Sequence, residues 1–179
     1  MKLAINGFGR IGRAAFKIAF DKEGVEIVGI NDLTDAKTLA HLLKYDTAYG
    51  IYNHDIKADG DKIIVDGKTI TVYAMKDPSQ LPWKDLDVDV VLECTGKFVG
   101  SDEAGVHIKA GAKKVVISAP SKGDNPAPTY VLGVNADEYK GETVINNASC
   151  TTNCIAPVMK VLEEKFGVKK ALLNTIHAF

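Results

Sequence analysis

At 179 residues the chain is long enough for one well-buried domain with a small appendage, and short for two domains with separate cores. A hydrophobic fraction of 46% and a charged fraction of 25% exclude a disordered or low-complexity chain, and 22 basic against 23 acidic residues argue against a nucleic-acid partner. No apolar span approaches membrane length, no secretory signal is recognisable, and Cys94, Cys150 and Cys154 are too sparse for a disulfide framework, so a cytoplasmic protein without membrane contact is expected.

Residues 2–6 read as a short apolar strand that breaks at Gly7-Phe8-Gly9-Arg10-Ile11-Gly12, and residues 13–20 have helical character. A second apolar run over 25–30 ends at Asn31-Asp32. Strand, glycine-rich turn, helix, strand and an acid about 20 residues further on form the dinucleotide-binding fingerprint. In that setting Gly7 lets the chain turn, Gly9 lets the backbone approach a pyrophosphate, and Gly12 lets the helix pack close to the strand. Asp32 can accept hydrogen bonds from a ribose 2′-hydroxyl and would repel a 2′-phosphate, so NAD is expected in preference to NADP. An ordinary strand-end turn residue is the alternative reading of that aspartate.

Residues 35–46 read as a helix with Leu39, Leu42 and Leu43 on one face and His41 near the surface. From 56 to 75 the period changes: Asp59-Gly60 and Asp66-Gly67 separate alternating runs at 62–65 and 68–73, an antiparallel insertion. His54 has no visible partner and reads as a solvated loop residue, while Trp83 reads as packing under the hairpin. A buried strand over 88–93 ends at Cys94-Thr95-Gly96, Ser101 is expected to cap a helix that Gly111 closes, and 113–118 gives another parallel-type strand. His107 reads as structural or exposed within that helix, and Cys94 as a small core residue. Short strands are expected at 130–134 and 143–146. The fold class is therefore α/β, a Rossmann-type doubly wound, mostly parallel sheet with an antiparallel hairpin insertion. The carboxyl ends of its parallel strands share one edge, where Gly7 to Gly12, Asp32, Thr95-Gly96 and Ser118-Ala119 gather.

The stretch Ala148-Ser149-Cys150-Thr151-Thr152-Asn153-Cys154 follows the last of these strands and precedes a helical pattern. Cys150 thus sits where a helix begins, a place at which unpaired N–H groups and the helix dipole stabilise a thiolate. His177 ends an apolar run over 171–176 that, as a strand, would deliver it to the same point as a base. An inert helix-cap cysteine is the alternative. Cys150, Cys154 and His177 lack a fourth ligand, and no metal is expected.

These residues resemble the glyceraldehyde-3-phosphate dehydrogenase family, the phosphorylating NAD-dependent enzymes of glycolysis. The resemblance runs along essentially the whole chain, through Asn6 to Arg13, Asn31-Asp32, Asp77-Pro78, Leu81-Pro82-Trp83, Glu93 to Gly96, Ile117 to Pro120, Gly133 to Asn135, Ala148 to Cys154 and His177-Ala178. It implies that Cys150 is the nucleophile and His177 its base, that Arg10, Ile11, Asp32, Thr95 and Ser118 surround NAD, and that Ser149 and Thr151 contact the attacking phosphate. The implied substrates are glyceraldehyde 3-phosphate and inorganic phosphate, and the implied full-length assembly is a homotetramer. Residues 1–149 then form the NAD-binding domain and 150–179 the start of the catalytic domain. Family members continue with a Tyr-Thr pair and a second domain about as long as this chain, whereas Phe179 stands at the tyrosine's place, so the chain is read as the N-terminal portion of such a protein. A module that holds NAD or another chain without turnover, and a relative acting on erythrose 4-phosphate, are the competing readings.

Overall fold

The computed structural model describes residues 1–177. Its sheet begins with β1 (Lys2–Asn6), whose last four residues are all buried because both of its faces are covered. The order of elements is then α1 (Arg10–Phe20), β2 (Glu26–Asn31), α2 (Ala36–Lys44), a two-residue ladder of β3 (Tyr45–Asp46) and β4 (Gly50–Ile51), and the meander β5 (Ile56–Asp59), β6 (Lys62–Val65), β7 (Lys68–Tyr73). After it come β8 (Val90–Glu93), the short helices α3 (Ser101–Ala104) and α4 (Val106–Lys109), β9 (Lys114–Ile117), β10 (Val144–Asn146) and the long helix α5 (Cys150–Phe166). The eight-stranded sheet runs β10-β9-β8-β1-β2-β7-β6-β5. From β10 to β7 all neighbours are parallel, and renumbered in chain order that block is the 3-2-1-4-5-6 arrangement of doubly wound nucleotide-binding sheets.

Each face of the sheet carries a core. On one side Phe8, Phe16, Ile30, Leu39, Leu43 and Ile63 pack together, with Phe8 set edge-on to Phe16 at 5.5 Å. On the other, Trp83, Val91, Ala104, Val115 and Ile117 are buried beneath the segment that leads into β8 and beneath α3 and α4.

The hairpin strands fall where the alternation places them, and the Asp66-Gly67 turn has φ of 49° and 80° at its two residues, which the right-handed twist of the flanking strands favours. The insertion is not separate from the sheet, however: β7 pairs parallel with β2, and only the β7–β6 and β6–β5 pairings are antiparallel. Asp35 caps α2 by accepting from Thr38 N–H at 2.9 Å, and Leu42 is exposed while Leu39 and Leu43 are buried. The expected helix after β8 is split at Gly105 and is capped one residue earlier than Ser101, at Gly100, where Glu103 accepts from the Val99 and Gly100 N–H groups, each at 3.1 Å. Residues 130–134 form no strand. They turn back on themselves, since Asn135 Oδ1 captures Val131 N–H at 2.9 Å, and one bridge, Thr129 to Asn146, is all that remains. Nor is there a strand over 171–176. A strand needs a neighbour for its N–H and C=O groups, and here Leu172 and Ile176 stand fully in solvent at 104% and 92% exposure.

His54 is not the solvated residue expected. Its Nδ1 lies 2.7 Å from Asp66 Oδ2 and its Nε2 lies 3.3 Å from Asp21 Oδ1, with Phe20 edge-on and the Tyr52 ring tilted against it. The end of α1 and the hairpin turn are thereby tied through one imidazole. Burial, reinforced by Asp21 and Asp66, pushes the Tyr52 phenol well above its usual range. The hydrogen bond from His54 leads the causes that hold the Asp66 carboxyl below the ordinary carboxylate range, ahead of the Asp55 N–H. A folded pKa below the unfolded value of about 4 means that this contribution is present above that value and is lost as pH falls through the lower folded one. His54→Gln should therefore melt a few degrees below wild type at about pH 5, and the gap should narrow as the pH falls below about 4. Calorimetric melts across that range test this, and a gap that stays constant into acid would refute it.

Candidate functional site

The registers of the central strands pair Asn6 with Asn31 on one side and with Glu93 on the other, so β1, β2 and β8 end at one level. Beyond that level the chain leaves β1 at Gly7, whose φ is 90°. A Cβ there would stand 2.7 Å from Thr95 N, and a Cβ on Gly12 would fall 2.1 Å from the Gly7 carbonyl oxygen. Those two glycines are required by the protein's own backbone. Gly9 is different: nothing lies within 4 Å of where its Cβ would be. Its missing side chain leaves open space beside a backbone that a ligand can approach. The first-turn N–H groups of α1 have no intrahelical acceptor, and no side chain caps them, so they favour an anion.

Beside this turn is a cleft of about 280 Å³ lined by Gly7, Gly9, Asp32 and Thr95 among the expected residues, and also by Asn6, Asn31, Met75, Lys76 and Phe98. Asp32 Oδ2 accepts the Phe8 N–H at 2.7 Å and Oδ1 accepts the Thr34 N–H at 2.9 Å. The backbone thus fixes the carboxylate while each oxygen keeps a lone pair for a further donor. These features fit the ribose and phosphates of a dinucleotide. Arg10, Ile11, Gly12, Gly96 and Ser118 are outside the lining. Arg10 is paired with Asp46 at 2.6 Å and lies over the Tyr49 ring, Ile11 is 55% exposed, Gly96 turns the chain after β8 with φ of 70°, and Ser118 N–H donates to the Glu93 carbonyl at 3.0 Å.

Asn6 and Asn31 fall within the sequence motifs but receive no site role from them, although both line the cleft. Their signal is present: each is an amide at the end of an apolar parallel strand, in register with the other. Asn31 Nδ2 donates to Asn6 Oδ1 at 2.7 Å, and both are buried.

Cys150 is the first residue of α5 and is exposed. Ser149 caps that helix, its Oγ accepting the Thr152 N–H at 2.9 Å, and Thr151 Oγ1 lies 4.0 Å from the Cys150 sulfur. Ala148 takes the left-handed conformation, φ 59°, to turn the chain into the cap. His177 is exposed, and its recorded polar contact is with Thr175 Oγ1 at 3.5 Å, so among the described residues no hydrogen bond joins it to Cys150. Cys94 also lines the cleft, and burial of its side chain pushes the thiol up to about 11. Among the described residues no group of three or more His, Cys, Asp or Glu side chains is placed to hold a metal ion, and no helix is long and apolar enough to cross a membrane.

A parallel sheet in this order, with an open glycine turn at a helix N-terminus and a carboxylate held at the next strand end, defines a dinucleotide-binding protein of the Rossmann type. Residues 1–101 match the family described as glyceraldehyde 3-phosphate dehydrogenase, NAD binding domain, and residues 149–179 match the C-terminal domain of the same family. The chain belongs to the glyceraldehyde 3-phosphate dehydrogenase family. It is 55% identical over 99% of its length to glyceraldehyde-3-phosphate dehydrogenase of Clostridium acetobutylicum, covering 53% of that protein. It is 51% identical over 99% of its length to the protein of Trypanosoma brucei brucei named as cytosolic, again covering 53% of it. The chain spans about half the length of the curated relatives it matches.

The three cysteines should separate by position. Cys150, exposed at the start of a helix, should be alkylated fastest at pH 7.5, Cys154 one turn inside should follow, and Cys94 should be at least about tenfold slower than Cys150. Timed labelling with peptide mass mapping reads the order, and equal rates would remove the case for an activated Cys150.

Proposed function

We propose that the chain is the cofactor-binding and nucleophile-bearing part of a phosphorylating, NAD-dependent glyceraldehyde-3-phosphate dehydrogenase. Residues 1–149 are the NAD-binding domain in this reading, and 150–179 begin the catalytic domain. The observation that carries it is the placement on one sheet edge of the open Gly9 turn, the fixed Asp32 carboxylate and, after β10, an exposed cysteine at a helix start.

Gly9 and the first-turn amides of α1 receive the pyrophosphate, and Asp32 accepts from the adenosine ribose. Arg10, Ile11, Thr95, Gly96 and Ser118 complete the surroundings of the cofactor. NAD, when bound, supplies the acceptor for a hydride. Cys150 Sγ adds to the aldehyde carbon of glyceraldehyde 3-phosphate, forming the C–S bond of a thiohemiacetal. His177 takes the hydroxyl proton as the C–H bond gives up its hydride, leaving a thioester on Cys150. Inorganic phosphate, met by Ser149 and Thr151, attacks the thioester carbon, and the C–S bond breaks to return the thiolate. The setting is cytoplasmic and the full-length assembly is a homotetramer.

A second reading is favoured by one observation, the exposure of His177 with Thr175 as its recorded partner. In that reading the 179-residue chain binds NAD and does not turn over. The expected result is NADH formation that requires both the aldehyde and phosphate and disappears in Cys150→Ser; NAD binding with no NADH selects the second reading. The cofactor assignment has its own test. Wild type should prefer NAD to NADP by at least about tenfold, and Asp32→Ala should bring the ratio of the two dissociation constants toward one. An unchanged ratio in calorimetric titrations would refute the role given to Asp32.

A further inference from the structure

Under the cleft is a buried chain of polar groups that the reading above does not use. His107 and Glu93 have side chains with 0% exposure, and their Nε2 and Oε2 atoms are 3.0 Å apart. At that distance an ion pair is a natural assignment, but the other ring nitrogen excludes it. The Trp83 indole nitrogen lies 3.0 Å from His107 Nδ1. An indole N–H only donates, so Nδ1 must be the acceptor and the ring proton must sit on Nε2. A second proton on Nδ1 would set donor against donor. His107 therefore donates to Glu93 as a neutral imidazole.

The consequences travel from the carboxylate to the cleft. Oε2 also accepts from Asn6 Nδ2 at 2.5 Å; that nitrogen lies 3.3 Å from His107 Nε2 as a second donor turned to the same oxygen. The Asn6 amide is oriented in turn by Asn31, whose own Oδ1 accepts the Met75 N–H at 2.9 Å. Oε1 accepts the Thr95 N–H at 2.8 Å and the Thr95 hydroxyl, whose oxygen accepts the Lys97 N–H at 3.1 Å. Thr95 lines the cleft, yet both of its polar hydrogens are committed to Glu93.

We propose that Trp83 and His107 are positioning residues of the cofactor cleft. The indole holds the imidazole in its Nε2-protonated tautomer, the imidazole holds Glu93, and Glu93 holds Thr95 so that it meets the ligand as an acceptor or by shape and never as a hydrogen-bond donor. The opposite tautomer would turn a lone pair toward the carboxylate, acceptor against acceptor, and release Glu93, Asn6 and Thr95 together. The proposal rests on the cleft being an NAD site.

Two measurements on the 179-residue chain test it. Two-bond proton–nitrogen spectra of the ¹⁵N-labelled protein should show wild-type His107 protonated on Nε2, with the Nδ1-protonated form becoming populated in Trp83→Phe. Calorimetric titration with NAD should show about tenfold weaker binding in His107→Leu, and His107→Gln, whose side-chain amide can still donate to Glu93, should recover most of it. Wild-type His107 protonated on Nδ1 overturns the lock, and equal affinity of wild type and His107→Leu overturns the positioning role. Should the leucine variant not fold, Trp83→Phe carries the binding test: a severalfold loss of NAD affinity is expected, and an unchanged affinity overturns the proposal. Wild type that binds no NAD would instead defeat the cofactor reading, and the tautomer spectra, recorded without ligand, would then decide the lock alone.

Discussion

Between the first turn of α1 and the end of β1 there is no room for a side chain, because a Cβ on Gly12 would lie 2.1 Å from the carbonyl oxygen of Gly7. The groups around that contact depend on it. It seats the start of the helix on the carboxyl edge of the sheet, with Gly7 itself pressed against the backbone of Thr95 from β8's end. Asp32, at the end of β2, then reaches back to the Phe8 N–H across the same turn. A methyl group at Gly12 would cost about 1–3 kcal/mol if it only strained the packing. Its larger effect would be to lift the helix N-terminus from the cleft, because the atom in the way is backbone, which cannot step aside as a side chain can.

What could be read from the residues follows from how local each requirement is. The glycine turn, the Asp66-Gly67 hairpin and the apolar strand at 2–6 are specified by neighbours in sequence, and they fold as their patterns predict, while the strand expected over 88–93 is shortened to Val90–Glu93. Residues 130–134 have the composition of a strand but lose to a competing local interaction, the capture of Val131 N–H by Asn135, which alternation does not reveal. The run at 171–176 is apolar too, and composition alone does not supply the adjacent strand that would pair with it. His54 and His107 share a different difficulty: their partners Asp21, Asp66, Trp83 and Glu93 come from other elements and meet only once the sheet is assembled. Motif reading could name Asp32 and Thr95 as cleft residues, but not the buried hydrogen-bond chain that orients Thr95 from the far side of the sheet.

The position of Cys150 is decided by the sheet more than by its own helix. No residue of α5 is buried, so the helix body does little to anchor its first turn. The anchoring comes from Asn146, the last residue of β10 and wholly buried. Its Nδ2 donates to the Ala127 carbonyl and to Thr129 Oγ1, each at 2.8 Å, while its Oδ1 accepts the Ala148 N–H at 2.9 Å. One amide thus fastens residues 127–129 on one side and holds Ala148 in its left-handed turn on the other. A left-handed alanine is unfavourable by about 1–2 kcal/mol, and the buried hydrogen bond from its own N–H offsets that cost. From Ala148 the chain passes directly to the Ser149 cap, so the placement of Cys150 is referred back through one side chain to the end of β10. The glycine turn after β1 and Cys150 after β10 then share a single reference, the carboxyl edge of the parallel sheet. Under the proposed reading, hydride acceptor and cysteine would both be placed from that one edge, without help from the helix that follows.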